Sequence, residues 1–163
     1  MSRMRIGTGF DAHRFGPGDV STIKIGGVSV PYHKEVLAHS DGDVLLHALC
    51  DALLGALALG DIGHHFPDTD VRFKGLDSRQ LLRATADKLA TQDYKIANID
   101  LTLIAQAPRV ANYIEEMRRV MAEVLDVKLA QVSVKATTTE KMGFVGREEG
   151  IAAQASVLLE SSL

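Results

Sequence analysis

His39-Ser40-Asp41-Gly42-Asp43-Val44-Leu45-Leu46-His47-Ala48-Leu49-Cys50-Asp51-Ala52-Leu53-Leu54-Gly55-Ala56-Leu57-Ala58-Leu59 is the stretch on which the fold turns. Ser40, with Asp43 three residues on, resembles a capping box in its Asp variant and predicts a helix from about Asp43 to Leu59. Apolar side chains run almost all round that helix, so it is expected at the centre of the molecule rather than on its surface. The exception is a polar seam, where His47 shares a face with Cys50, Asp51 and Leu54.

Working outward, Ile23 to Val30 reads as two short strands turned at Gly26-Gly27, because a glycine pair takes the positive φ angles that a tight hairpin needs. Pro31 closes that unit. Downstream, Asp77 and Gln80 offer a second capping box, followed by the inner stripe Leu81, Leu82, Thr85 and Leu89. A third helix is expected after Pro108, with Val110, Ile114, Met117, Met121, Val124 and Leu125 inward and Glu115, Glu116, Arg118 and Arg119 in water. Ile99 to Ile104, Val132 to Ala136 and Ile151 to Leu159 read as strands. Helices and strands alternate too irregularly for a doubly wound fold. The expectation is α+β: a mixed sheet with helices packed on one face, in a single domain spanning 1–163.

The 163 residues are 46% hydrophobic and 24% charged, with 18 Lys+Arg against 21 Asp+Glu. A domain of this size buries roughly 70% of its unfolded surface, so any metal serves chemistry before folding. With no basic cluster, nucleic acid and membrane surfaces are not expected partners. Lone Cys50 cannot form an intrachain disulfide and reads as a buried thiol in a reducing compartment. The start, Met1-Ser2-Arg3-Met4-Arg5-Ile6, lacks a secretory apolar run, and a cytoplasmic location is expected.

All six histidines, His13, His33, His39, His47, His64 and His65, fall in the first 65 residues. In an extended segment Asp11 and His13, two apart, point to the same side, and His47 on the central helix supplies a third ligand. Two imidazoles and a carboxylate suit catalytic Zn2+ with an open fourth position. Asp51, one turn beyond His47, reads as a partner to that site. Gly7-Thr8-Gly9-Phe10-Asp11-Ala12 loosely matches a dinucleotide fingerprint but is rejected, because Gly and Pro make residues 13–19 a loop where a helix is required. Phosphate is instead assigned to Lys135-Ala136-Thr137-Thr138-Thr139-Glu140-Lys141, where hydroxyls and loop N–H groups grip oxygens and Glu140 holds a second cation. Threonine is also a good strand former, so a plain polar strand end reads equally well. Arg147 is either a phosphate-binding guanidinium or a solvated charge. In Phe66-Pro67-Asp68-Thr69-Asp70 the two carboxylates suit polyol hydroxyls.

Taken in order, Arg5 to His13, Ala38-His39-Ser40-Asp41-Gly42-Asp43-Val44, Gly60-Asp61-Ile62-Gly63, Phe66 to Asp70, Ala105-Gln106-Ala107-Pro108 and Lys135 to Lys141 resemble the 2-C-methyl-D-erythritol 2,4-cyclodiphosphate synthase family over nearly the whole chain. The resemblance implies a four-stranded mixed sheet with helices on one face, assembled as a homotrimer with active sites between subunits. It implies cyclisation of 4-diphosphocytidyl-2-C-methyl-D-erythritol 2-phosphate with release of CMP, a phosphorus–oxygen lyase step in the non-mevalonate isoprenoid route. By the same resemblance Asp11, His13 and His47 hold Zn2+, and Ala12 lies within the same substrate-contacting segment. His39 and Ser40 stand beside the methylerythritol phosphate, Asp61, Ile62 and Gly63 meet the ribose, and Phe66, Pro67, Asp68, Thr69 and Asp70 meet the erythritol. Ala105, Gln106, Ala107, Pro108, Arg109, Val110 and Ala111 frame the cytosine. Ala136, Thr137, Thr138, Thr139 and Glu140 hold the diphosphate with its Mg2+ or Mn2+, while Phe144 and Arg147 complete the wall. His39 and Thr138 are the implied catalytic pair. Arg109 in place of a lysine and the His64-His65 pair depart from the family pattern.

Two other classes remain open at this point. A zinc hydrolase needs a carboxylate base by the metal, such as Asp51. A metal clip without catalysis needs a fourth protein ligand, for which His33 or His39 is the candidate.

Overall fold

A computed structural model describes residues 3–163; Met1 and Ser2, which begin the segment read as carrying no secretory signal, lie outside the described residues. In chain order the elements are β1 (Met4–Asp19), β2 (Thr22–Ile25), β3 (Val28–Pro31), β4 (Lys34–Leu37), α1 (Val44–Ala56), α2 (Ile62–His65), α3 (Ser78–Thr91), β5 (Tyr94–Ile104), α4 (Ile114–Leu125), β6 (Val132–Thr137), α5 (Gly143–Gly146) and β7 (Gly150–Ser161). The main sheet runs β4-β1-β7-β5-β6, antiparallel throughout except for the parallel pair β5–β6, and β2–β3 form a separate hairpin.

The sheet therefore has five strands rather than the expected four. The extra strand arises because β1 does not stop at His13: Arg14 pairs with Leu37 and Asp19 with Lys34, so the segment read as a loop continues as strand. Glycine and proline are tolerated there because the ladder of β1 with β7 ends at Arg14, leaving the later part of β1 paired only with β4, and because the register shifts between Phe15 and Asp19. The rejection of a dinucleotide site holds, since no helix follows Gly9.

Helix α1 is as central as its composition requires, with only Asp51 and Gly55 of its residues not buried. Its N-cap is Asp43, whose carboxylate accepts from Leu46 N at 3.1 Å; Ser40 is not the cap and is used elsewhere. The same buried carboxylate takes Gly26 N at 2.8 Å and Gly27 N at 2.6 Å, tying the hairpin turn to the start of α1. Both turn glycines have positive φ, as the hairpin reading demands. Burial pushes the Asp43 carboxyl up, and the three backbone donors oppose that shift.

Gly7 and Gly9 determine how closely α1 approaches the sheet. A Cβ on Gly7 would lie 1.9 Å from Ala52 O, and one on Gly9 would lie 2.0 Å from Ala48 O, so backbone rests directly on backbone. Along β1 the burial alternates, with residues 5, 7, 9, 11, 13 and 15 turned toward the helices and residues 4, 6, 8, 10, 12 and 14 turned away. Helices α3 and α4 complete the layer on the α1 side through Leu81, Leu82, Leu89, Met117, Met121 and Leu125, as the sequence stripes predicted. Ile6 and Phe10, 74% and 59% exposed, lie on the uncovered face. Among the described residues no helix is long and apolar enough to cross a membrane.

Candidate functional site

Alternation on β1 turns Asp11 and His13 to the helix side, and the close seat of α1 brings His47 down between them. Asp11 Oδ2 lies 2.8 Å from His13 Nε2 and 3.2 Å from His47 Nδ1, and the two imidazole nitrogens are 3.1 Å apart. Ligand atoms around tetrahedral Zn2+ with bonds near 2.05 Å are about 3.3 Å from one another, so the three side chains fit a divalent ion with little movement. Burial works against the Asp11 charge, but the hydrogen bonds and positive ring edges of His13 and His47 prevail and hold its carboxyl at about 2. At His47, too, burial opposes the charge, and Asp11, with Asp43 and Asp41 behind it, carries the imidazole above its usual value.

The other nitrogen of His47 is held as well. Its Nε2 lies 2.9 Å from Ser78 Oγ and 3.1 Å from Ser40 Oγ, and Ser78 in turn is bound to Asp41 through both its hydroxyl and its backbone N–H. Sequence reading missed Ser78 and Asp41. The available signal is the run of Asp and Ser at two helix starts, which by sequence reads as capping alone.

A cavity of about 360 Å3 opens beside the triad, lined by Asp11, His13, His39, Ser40, His47, Ile62, Gly63, Phe66, Asp68 and Ser78 with Leu37, Ala38, Phe73, Leu76 and Leu81. It unites the expected metal, phosphate-side, ribose and erythritol segments. His39 Nε2 is buried with no hydrogen-bond partner. Asp61 caps α2 by accepting from His64 N at 2.9 Å, while Asp51 Oδ1 accepts from Ile62 N at 2.8 Å. Asp51 thus fixes the Asp61–Gly63 turn and stands outside the metal-ligating group. Asp70 binds the Arg72 guanidinium, and that contact holds its carboxyl below the usual range. His65 bonds to Leu59 O at 2.8 Å and stacks edge-on with His64, which gives the pair a local structural role.

The remaining expected residues gather elsewhere. Ala105, Gln106, Pro108, Arg109, Val110, Ala111, Ala136, Thr137 and Thr138, with Leu103 and Ile114, line a second hollow of about 300 Å3 that shares no residue with the first. Asp11 pairs with Ala153, Ala153 with Leu103 and Leu103 with Ala136, so one row of the sheet links the two hollows across three strand spacings, about 14 Å. Among the three threonines, Thr137 donates to Thr138 O and Thr139 to Met142 O, whereas Thr138 Oγ1 accepts from Glu140 N and keeps its proton to donate outward. Glu140 is exposed. Arg147 pairs with Glu149 at 2.8 Å, and Phe144 lies with Ala12, His13 and Glu149 in a smaller recess. Cys50 is fully buried and its thiol is pushed up to about 12 by that burial, as expected for an inert core residue.

Fold and site together define a small α+β protein in which an Asp–His–His group able to hold a metal opens on a ligand-sized cavity, with a threonine-lined hollow set apart from it. The sequence profile of the YgbB family matches residues 4–160, and the chain belongs to that family. It is 60% identical over 158 residues, 97% of this chain and 98% of the relative, to the 2-C-methyl-D-erythritol 2,4-cyclodiphosphate synthase of Cellvibrio japonicus. The enzyme of the same name from Pseudomonas paraeruginosa is 62% identical over 96% of this chain and 98% of its own length. Among solved structures, a CDP complex of IspF from Plasmodium falciparum covers both chains completely at 34% identity with a TM-score of 0.86. The bifunctional IspDF of Campylobacter jejuni is 43% identical with a TM-score of 0.92; 97% of this chain matches 42% of that longer one.

Proposed function

We propose that this protein converts 4-diphosphocytidyl-2-C-methyl-D-erythritol 2-phosphate into the cyclic 2,4-diphosphate with release of CMP, as a phosphorus–oxygen lyase of the non-mevalonate isoprenoid route. The observation that carries this reading is the Asp11–His13–His47 group beside a cavity lined by the ribose and erythritol segments, in a chain that matches the named synthases over nearly its full length. The CDP complex of the Plasmodium falciparum relative supports a cytidine diphosphate moiety in the ligand.

In this reading an oxygen of the 2-phosphate attacks the β-phosphorus, the bond from that phosphorus to the bridging oxygen breaks, and CMP leaves with the bridging oxygen. Water is not consumed, and the attacking phosphate is already anionic, so the protein needs no general base. Its task is to bend the substrate and offset charge. Asp11, His13 and His47 hold Zn2+, and Glu140 holds Mg2+ or Mn2+ with the diphosphate; when bound, these ions supply Lewis acidity and charge screening at the phosphates. The outward Thr138 O–H donates to a phosphate oxygen, and the partnerless Nε2 of His39 gives the cavity wall a polar atom to offer the transition state. Ala12 and Phe144 meet the substrate from the smaller recess they line, and Thr69, Ala107, Thr139 and Arg147, which line none of the three recesses, are assigned to substrate contact with them in this reading.

The active form in this reading is a homotrimer with each site shared between subunits. Two observations support it: the two hollows share no lining residue, and Ile6 and Phe10 lie exposed on an uncovered sheet face. The hydrolase alternative is the weaker reading, because Asp51, its candidate base, does not line the cavity beside the triad and accepts from Ile62 N through Oδ1. Incubating the protein with the diphosphocytidyl substrate and Mg2+ and weighing the products tests the reading. CMP with a cyclic diphosphate is expected; CMP with the acyclic 2,4-bisphosphate, one water heavier, points to a hydrolase and rejects it.

A further inference from the structure

We propose that Gln106 and Gly146 are positioning residues that hold the Thr139–Met142 turn in its left-handed form and thereby set the Thr138 hydroxyl and Glu140 for a bound diphosphate. The proposal deepens the phosphate-site reading and rests on it. The chain leaves the parallel strands β5 and β6 side by side, with Ile104 paired to Thr137 and Ala105 N donating to Thr137 O at 3.0 Å. Just beyond, on the β6 side, the chain reverses. Met142 N donates to Thr139 O at 3.0 Å, and both central residues have positive φ, 52° at Glu140 and 64° at Lys141. Positive φ at both centres marks a type I′ turn, whose central positions ordinarily take Gly, Asn or Asp because a Cβ crowds the backbone there. A Glu-Lys pair persists in that conformation only when neighbouring groups over-determine it.

Two groups do so. Gln106 reaches across from the β5 side, and its Oε1 accepts from Lys141 N at 3.1 Å; a backbone N–H can only donate, so the amide presents its oxygen. From α5, Gly146 rests directly on the turn: a Cβ there would fall 2.1 Å from Lys141 C and 2.6 Å from Lys141 Cα and O. Its N–H donates to Met142 O at 3.1 Å, and the Thr139 hydroxyl donates to the same oxygen at 2.6 Å. The turn so held brings Glu140 N to 3.2 Å from Thr138 Oγ1, the contact that leaves the Thr138 proton for a ligand. Gln106 lines the second hollow with Thr137 and Thr138, whereas Gly146 lines neither hollow. A side chain grouped by resemblance with the cytosine segment thus acts on the diphosphate turn.

The test compares wild type, Gln106→Met, Gln106→Glu and Gly146→Ala in two measurements. Amide hydrogen exchange of the ligand-free protein, followed by 1H–15N correlation, reads the turn at Glu140 and Lys141. Calorimetry with cytidine and with CDP in Mg2+ buffer separates the base from the diphosphate. Gln106→Met is expected to speed Lys141 exchange and to weaken CDP by about 5–10-fold, the worth of one neutral hydrogen bond, with cytidine changed by less than about twofold. Gln106→Glu keeps an oxygen for Lys141 N and is expected to restore slow exchange. Gly146→Ala is expected to lower CDP affinity at least as much while leaving cytidine alone; should it not fold, the Gln106 variants decide. Cytidine and CDP weakened in parallel by Gln106→Met would overturn the proposal and return Gln106 to the base alone. Full CDP affinity in Gln106→Met would overturn the role of Gln106, and in Gly146→Ala that of Gly146. A wild type that binds CDP no more tightly than cytidine would instead overturn the diphosphate reading on which the proposal stands.

Discussion

At the residue scale, one hydroxyl stands apart from its neighbours. Thr137 and Thr139 donate their protons to backbone carbonyls, whereas Thr138 accepts from Glu140 N and keeps its own proton to donate to a ligand. A donor fixed before the substrate arrives stabilises charge that grows in the transition state more than charge already present. Thr138→Val is therefore expected to lower kcat by about 10²–10³ with a much smaller change in KM. Steady-state kinetics check this, and an unchanged kcat would return the stretch to an ordinary strand end. The three-threonine run was legible in the sequence as a phosphate-binding stretch, but which hydroxyl remains free depends on local backbone geometry, including the positive φ of Glu140 and Lys141, which no spacing rule reveals.

At the element scale the candidate metal site depends on how α1 rests on β1. Because a Cβ on Gly9 would meet Ala48 O at 2.0 Å, backbone against backbone, no side-chain rotation relieves the clash and α1 must move away from Asp11. Gly9→Ala is expected to cost about 1–3 kcal/mol or more in stability and to lower Zn2+ stoichiometry with it, read by urea unfolding and metal analysis. A variant with wild-type stability and full metal would show that the approach is not needed. Helix α3 offers a pH-dependent case. Its N-cap Asp77 accepts from Arg79 N and from the Arg79 guanidinium, whose contact holds the Asp77 carboxyl below its usual 3.8. A lowered carboxyl stabilises the fold fully above 3.8 and loses that contribution as pH falls through the lowered value. Asp77→Ala should thus cost about 1 kcal/mol near neutrality, with the gap to wild type closing as the pH drops into the acid range. A gap independent of pH would assign the loss to something other than the charged cap.

At the scale of the whole molecule, the segments proposed for metal and ribose line one hollow and those proposed for cytosine and diphosphate another, about 14 Å away along one row of the sheet. If each working site joins one hollow to the other hollow of a neighbour, two broken chains can repair each other. Co-refolded His47→Ala and Ala136→Trp chains, each inactive alone, are expected to recover activity, with hetero-assembly followed by native mass. Mixed assemblies without recovery would place the whole site within one chain. The sequence by itself determined the central helix, the glycine hairpin, the α+β class and the same-side pairing of Asp11 and His13, because these follow from local periodicity, capping and the two-residue repeat of a strand. The fifth strand, the descent of His47 onto that pair and the Ser78–Asp41 support behind it were decided only by tertiary structure. Each joins segments far apart in the chain, and edge pairing, close backbone approach and shared hydrogen bonds leave no periodic trace in the residues that make them.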